Sequence, residues 1–246
     1  MTVKNILLGI AVIVLLGIGV GVWWLYTSLD SVVASAIREY GPQITGVPVK
    51  LSGVKIVPTD GAALLRGLVV GNPKDFKTEH ALSVGEISMK LDMGTLTKDV
   101  VLIKEISIIK PDVTYEYGPS GSNLEVIKHN VDRYLAENPG GNSEGKDNGS
   151  NKKFIIENLY VKNGKAEVSA DILKGKTMSV TLADLQLHNI GKKSNGATAG
   201  EVTREVLAAI AQSVARETRT VNLAGAAESV KKGAESAGEK IKEILK

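Results

Sequence analysis

Side chains able to do chemistry are scattered through this chain. Asp60, Asp92, Asp99 and Asp112 are carboxylates of the kind used in acid–base catalysis, and His80, His129 and His188 are imidazoles that could partner them. None stands at a spacing that brings a base to a nucleophile or gathers ligands around a metal. Asp60 precedes Gly61 in a turn, while Asp92, Asp99 and Asp112 stand where apolar segments end. Turn formation accounts for all four. His188 falls on a polar phase near a segment end and reads as a surface residue. The chain has no cysteine, which removes disulfides, thiol catalysis and zinc–thiolate sites together and leaves the redox compartment open. The glycines at 17–21 lie inside an apolar run rather than after a strand, so they form no phosphate loop. The expectation is a chain that is not an enzyme and uses no cofactor and no metal.

The elements that would position any site are short alternating segments. They run from Val47 to Leu51, Leu64 to Val70, Ile87 to Met93, Val101 to Ile109 and Val113 to Tyr117. Period-two alternation between Gly, Pro and Asp reads as half-buried antiparallel strands. The alternation slips phase across Gly53, near Gly85–Glu86 and near Asp184, where β-bulges would bend the sheet. Further strands follow at 154–162, 165–170 and 178–187, with Asn163–Gly164 predicting a two-residue hairpin. The total is about eight strands. A sheet with one apolar face must cover it with protein, lipid or a partner. Leu64, Leu68, Met89, Leu91, Ile106 and Ile108 are the candidates to line that face. Lys104 and Glu105 interrupt its most apolar strand, so one of them must turn inward or be paired. Lys104 could meet an anionic headgroup, or it snorkels or pairs across strands.

Both ends of the chain add helical patterns. Ile6 to Leu25 is apolar without a charge, and twenty helical residues span about 30 Å, one hydrocarbon core. Trp23 and Trp24 sit at its far end, as interfacial aromatics do. The run reads as an uncleaved anchor over 1–27 with the amino terminus in the cytoplasm; a cleaved signal peptide is the alternative. Residues 28–40 have helical periodicity and Gly41–Pro42 predicts the stop. Residues 123–137 form another amphipathic pattern, and 138–153 has linker composition. In the tail at 191–246, Thr198 and Glu201 form a capping box that opens a helix to about Arg216. Beyond it, Leu223, Val230, Ile241 and Ile244 fall on a narrow seam, a candidate surface for self-association or for a lid.

The order of pieces carries a resemblance. An anchor and a short helix precede Thr45-Gly-Val-Pro-Val49, Gly61-x-Ala-Leu-Leu-x-Gly-Leu68 and Gly71-Asn-Pro73 with Phe76. Ile87-x-Met-x-Leu-Asp92, Ile103-x-x-Ile-x-Ile108, Lys110-Pro-Asp-Val113 and Asn123-Leu124 follow. Over about residues 1–135, and again from Ile155 to Ile190, the chain resembles the AsmA-like family of bacterial envelope proteins. The resemblance implies an α+β protein held at the inner membrane and facing the periplasm. It implies a curved antiparallel sheet whose apolar groove, over 28–190, handles phospholipid or another envelope lipid. The chain is several times shorter than the well-known members, so it would act locally, hand lipid to a partner or stack into a longer conduit. The alternative is a structural or assembly subunit that joins copies, or an envelope complex, through sheet edges and the tail. Nucleic acid is not expected, because a net charge of +3 comes from lysines and arginines dispersed among acids.

Overall fold

The computed structural model describes residues 29–118, 121–139, 152–170 and 177–220. The expected anchor with Ile6, Trp23, Trp24 and Leu25 lies outside the described residues, as do most of the expected linker and the expected seam of Leu223, Val230, Ile241 and Ile244. Among the described residues no helix is long and apolar enough to cross a membrane.

The fold is α+β, with an open, curved sheet and, among the described residues, three α-helices. Helix α1 covers 29–45. The strands are β1 (Val49–Lys50), β2 (Gly53–Val57), β3 (Ala62–Gly71), β4 (His80–Leu91), β5 (Val100–Ile109), β6 (Asp112–Gly118) and β7 (Gly121–Ser122). Helix α2 (Asn123–Glu137) follows, then β8 (Lys153–Lys162), β9 (Lys165–Ala170), β10 (Thr177–Thr181), β11 (Leu185–Ile190) and α3 (Ala199–Thr220).

Register joins these pieces into longer strands. Strand β4 pairs with β5 up to Ile87 opposite Ile108, and with β6 from Ser83 opposite Asp112, so β5 and β6 lie along one line. Strand β5 reaches β8 at Ile109 beside Lys162, and β6 meets β9 from Asp112 beside Lys165. Strands β8 and β9 are therefore one line too. On the far side β11 pairs β8 and β10 pairs β9 in the same register. The order across the sheet is β1–β2, β3, β4, β5–β6, β8–β9 and β10–β11, with β7 appended to β6.

Three expectations change here. The sheet is mixed, because β5–β6 and β8–β9 run parallel, and among the described residues it has eleven strand segments instead of about eight antiparallel ones. A parallel neighbour needs a crossover, and the chain from β7 through α2 to β8 supplies it. Alternation within a strand carries no record of the direction of its neighbour. Asn163–Gly164 makes no hairpin: Asn163 takes the left-handed conformation its type favours (φ 54°), yet the strand continues through it. Gly41–Pro42 does not end α1 either. The stop is Gly46 at φ 68°, whose amide bonds the Pro42 carbonyl at 2.9 Å while Asn130 caps Thr45 O at 3.1 Å.

The expected phase slips are present, and they align. Core-facing residues stand three apart instead of two at Leu51/Val54, Leu65/Leu68, Val84/Ile87, Ile108/Pro111, Val161/Gly164 and Leu182/Leu185. The pairing places Ser52, Gly67, Gly85, Lys110, Asn163 and Ala183 on one row between them. Gly67, Lys110 and Asn163 have positive φ (60°, 54° and 54°). Each strand changes face on the same row, so pairing survives and the sheet creases. A second, shorter crease crosses Lys104, Glu157 and Asn189, where β4 pairs Lys90 with Glu105 and then Leu91 with Ile103.

The creased face holds two cores. One collects Leu65, Val84, Ile87, Ile103, Ile106, Ile156 and Leu159 under Ala34 and Ile37 of α1. The other collects Ala81, Val113, Ala166, Val168 and Val180 under Leu124 and Ile127 of α2 and Ile210 and Val214 of α3. Val206 of α3 packs on both.

The crease makes a stability prediction. A Cβ on Gly67 would lie 2.2 Å from Ser52 Oγ at a φ that disfavours side chains, whereas the Cβ position of Gly85 meets nothing within 4 Å. Gly67→Ala should cost about 1–3 kcal/mol, and Gly85→Ala less than about 0.5 kcal/mol. Thermal unfolding of the two variants checks this; equal losses would contradict the crease.

Candidate functional site

Asp60, Asp92, Asp112 and His188 have structural partners, whereas His80 Nε2 is buried without a hydrogen-bond partner. Asp92 accepts from Gly94 N at 3.1 Å, and Asp60 accepts from the Thr59 hydroxyl at 2.9 Å. Asp112 pairs with Lys165 at 3.0 Å across the parallel β6–β9 pair, and Glu167 stands 3.8 Å from the same ammonium. The hydrogen bond to Asp112, and then its charge, raise the Lys165 pKa above the ordinary lysine value. His188 Nδ1 lies 2.9 Å from Asn158 Oδ1 on the exposed face. No group of three potential metal ligands occurs among the described residues.

Lys104 and Glu105 resolve without either facing the core. The bulge at Lys104 turns both outward, Lys104 is exposed, and Glu105 pairs with Lys90 at 3.2 Å.

A buried polar cluster stands at the end of the sheet where β3, β6 and α2 meet. The Glu116 carboxylate, 7% exposed, accepts from Lys77 N at 2.9 Å, from Thr78 N at 2.8 Å and from the Thr78 hydroxyl at 2.6 Å. Burial pushes its pKa up, but these hydrogen bonds and the Lys77 charge outweigh that and hold it below the ordinary value. Asn72 donates to Thr78 O and Thr78 Oγ1 at 2.9 and 2.7 Å. Asn123, fully buried, donates to Asn72 Oδ1 at 2.8 Å and to Thr114 O at 2.7 Å, and accepts from Glu116 N at 3.0 Å. Ser122 and Glu125 form the capping box that starts α2 beside it. Phe76 lies against Gly118. The cluster thus gathers Asn72, Phe76 and Asn123 from stretches some fifty positions apart. Sequence alone gave Asn123 no role, since its signal is only an amide ahead of an amphipathic helix.

The apolar face is the other candidate. Ile106 and Ile108 are buried in the first core, and Leu68, Met89 and Leu91 pack against it. Leu64 is separate: its cross-strand partners Lys55 and Ser88 are exposed, so it stands on the opposite face. The sequence placed all six together because the phase change in β3 comes between Leu65 and Leu68. Helices α1, α2 and α3 cover this face with apolar side chains. A cavity of about 420 Å³ lies between the end of α2 and the start of α3, lined by Asp132, Leu135, Ala136, Pro139, Thr198, Glu201 and Arg204. The capping box is as the spacing predicts, with Thr198 N to Glu201 Oε2 at 2.7 Å and Glu201 N to Thr198 Oγ1 at 3.2 Å. The helix it opens runs on to Thr220 rather than Arg216.

Two outcomes follow for the polar cluster. Asn123→Ala removes the side-chain partner of Asn72 Oδ1, Thr114 O and Glu116 N and should cost about 2–3 kcal/mol. The lowered Glu116 pKa contributes stability that is complete above the ordinary glutamate value. It is lost as pH falls through the lowered folded value. Unfolding measured from neutral to acid pH should show this loss in the wild type and a weaker acid dependence in Glu116→Gln.

No protein-family model matches the sequence, and no curated protein sequence matches it.

Proposed function

We propose that this is an inner-membrane-anchored, periplasm-facing protein of the AsmA-like kind, which binds or helps to move envelope lipid on the apolar face of its sheet. Helix α3 serves as the lid. The observation that carries the reading is that one apolar face runs across the whole creased sheet and is closed by helices. The last of them, α3, meets both cores through Val202, Val206, Ile210 and Val214. Support also comes from the apolar run Ile6–Leu25 and from the meeting of Asn72 with Asn123. Stacking edge to edge into a conduit is not favoured. On the β1–β2 edge, Asp30 accepts from Ile56 N at 2.7 Å and Arg38 donates to Leu51 O at 2.7 Å, which blocks that edge. The β10–β11 edge is broken at 182–184 and by Asn189 at φ 56°. The protein therefore works locally or with a partner.

A photo-reactive residue at Leu68 or Met89, with Ser88 on the opposite face as control, tests this in cells. Lipid adducts at 68 and 89 but not at 88 are expected; adducts at none of the three would sink the reading.

One observation favours the assembly-subunit reading: the face is already filled by the chain's own side chains, with Ile210 and Val214 fully packed. That reading predicts a defined oligomer of the detergent-purified protein that disappears on deleting 221–246. Deleting from 198 would instead strip α3 from the core and unfold the domain.

A further inference from the structure

The two ends of the sheet are not equivalent, and one of them is rich in lysine. At that end the turn at 58–61, the segment 92–99, the start of β8 and the turn at 191–196 adjoin. Leu91 N bonds Gly61 O at 2.6 Å, Lys153 N bonds Asp99 O at 2.9 Å, and Phe154 N bonds Ala197 O at 2.7 Å. The Lys152 ammonium reaches the Lys98 carbonyl. Five lysines stand on these pieces: Lys98, Lys152, Lys153, Lys192 and Lys193. Lys98, Lys192 and Lys193 are exposed, and none of the five is in an ion pair among the described residues. The acids on these pieces are Asp60, Asp92 and Asp99; Asp30 in the first turn of α1 and Glu201 in the first turn of α3 adjoin them, each accepting a backbone hydrogen bond. Asp60 and Asp92 sit on the β2–β4 side and already accept local hydrogen bonds, which leaves Asp99 among the lysines.

The same end receives the chain from the apolar run. Asp30, in the first turn of α1, is bonded to Ile56 near the end of β2, while Arg38, two turns on, is bonded to Leu51. Helix α1 therefore starts at the lysine-rich end and runs away from it. Val32, one turn in, is 61% exposed. From Leu25 to residue 29 the chain can span at most about 14 Å. Strands spaced about 4.8 Å apart put the lysine-bearing loops of β5, β8 and β11 about 14–24 Å along from β2.

We infer that the lysine-bearing end of the sheet rests on anionic phospholipid headgroups of the bilayer that holds the anchor. This rests on the anchor reading above. Contact stands the strands on the membrane and turns the Glu116–Asn123 end outward. Cations near an anionic surface are attracted over a Debye length, so the contact is salt-dependent.

The absence of cysteine makes single-site labelling clean. The probes are Thr97→Cys, exposed beside Lys98, and Ser179→Cys, exposed on β10. Each full-length protein is labelled and reconstituted in vesicles carrying a headgroup quencher, of phosphatidylcholine with or without phosphatidylglycerol. Quenching at 97 should exceed that at 179 by about two-fold or more with phosphatidylglycerol, and fall toward the control in high salt. Replacing Lys98, Lys192 and Lys193 with Glu should lower it likewise. Equal quenching at 97 and 179, or indifference to charge reversal, overturns the inference while the anchor stands. Failure of the protein to float with vesicles overturns the anchor reading and this inference together.

Discussion

A strand's side chains alternate with a period of two, so one extra residue turns every later core residue toward water. This constraint organises the molecule. Six long strands each carry the extra residue, and all carry it on the row through Ser52, Gly67, Gly85, Lys110, Asn163 and Ala183. Because the change is shared, no strand loses its partner and the apolar face stays whole. The crease divides that face into two cores joined by Leu82, Leu185 and Val206. Helix α3, 22 residues and therefore about 33 Å long, reaches from one core to the other.

The polar cluster meets a related demand at the end of the sheet. Burying a carboxylate is costly unless hydrogen bonds replace its water. Glu116 obtains them from the backbone and hydroxyl of the loop at 77–78, and Asn123 joins that loop to β6 and to the start of α2. These contacts fix where α2 begins, and α2 in turn holds the end of α1 through Asn130 and Thr45. Asp60 and Asp92 are committed to turns, and Asp112 and His188 to cross-strand pairs.

The functional reading follows from what covers the apolar face and what blocks its edges. Helices fill the face, so the proposed lipid binding requires α3 to move, since there is no standing channel among the described residues. The blocked β1–β2 edge and the interrupted β10–β11 edge disfavour open-ended strand addition. Both proposed readings, a local lipid-handling module and an assembly subunit, therefore place partner contacts away from the sheet edges.

By itself the sequence determined the class of elements, the phase slips near Gly53, Gly85 and Asp184, the α2 pattern and the Thr198–Glu201 cap. Each depends on residues close together in the chain. It misplaced the carboxy-terminal end of α1, the turn at Asn163–Gly164 and the face of Leu64, where a correct local signal was open to two uses. Asn163 favours a left-handed backbone, but whether the chain then folds back or continues depends on its neighbour. Here Lys110 occupies the same row with the same backbone sign. Only the tertiary structure decided that β5–β6 and β8–β9 run parallel, that the slips share one row, and that Asn72 meets Asn123. Pairing direction, register between distant strands and contacts across fifty residues are properties of pairs of segments, and alternation within one segment does not encode them.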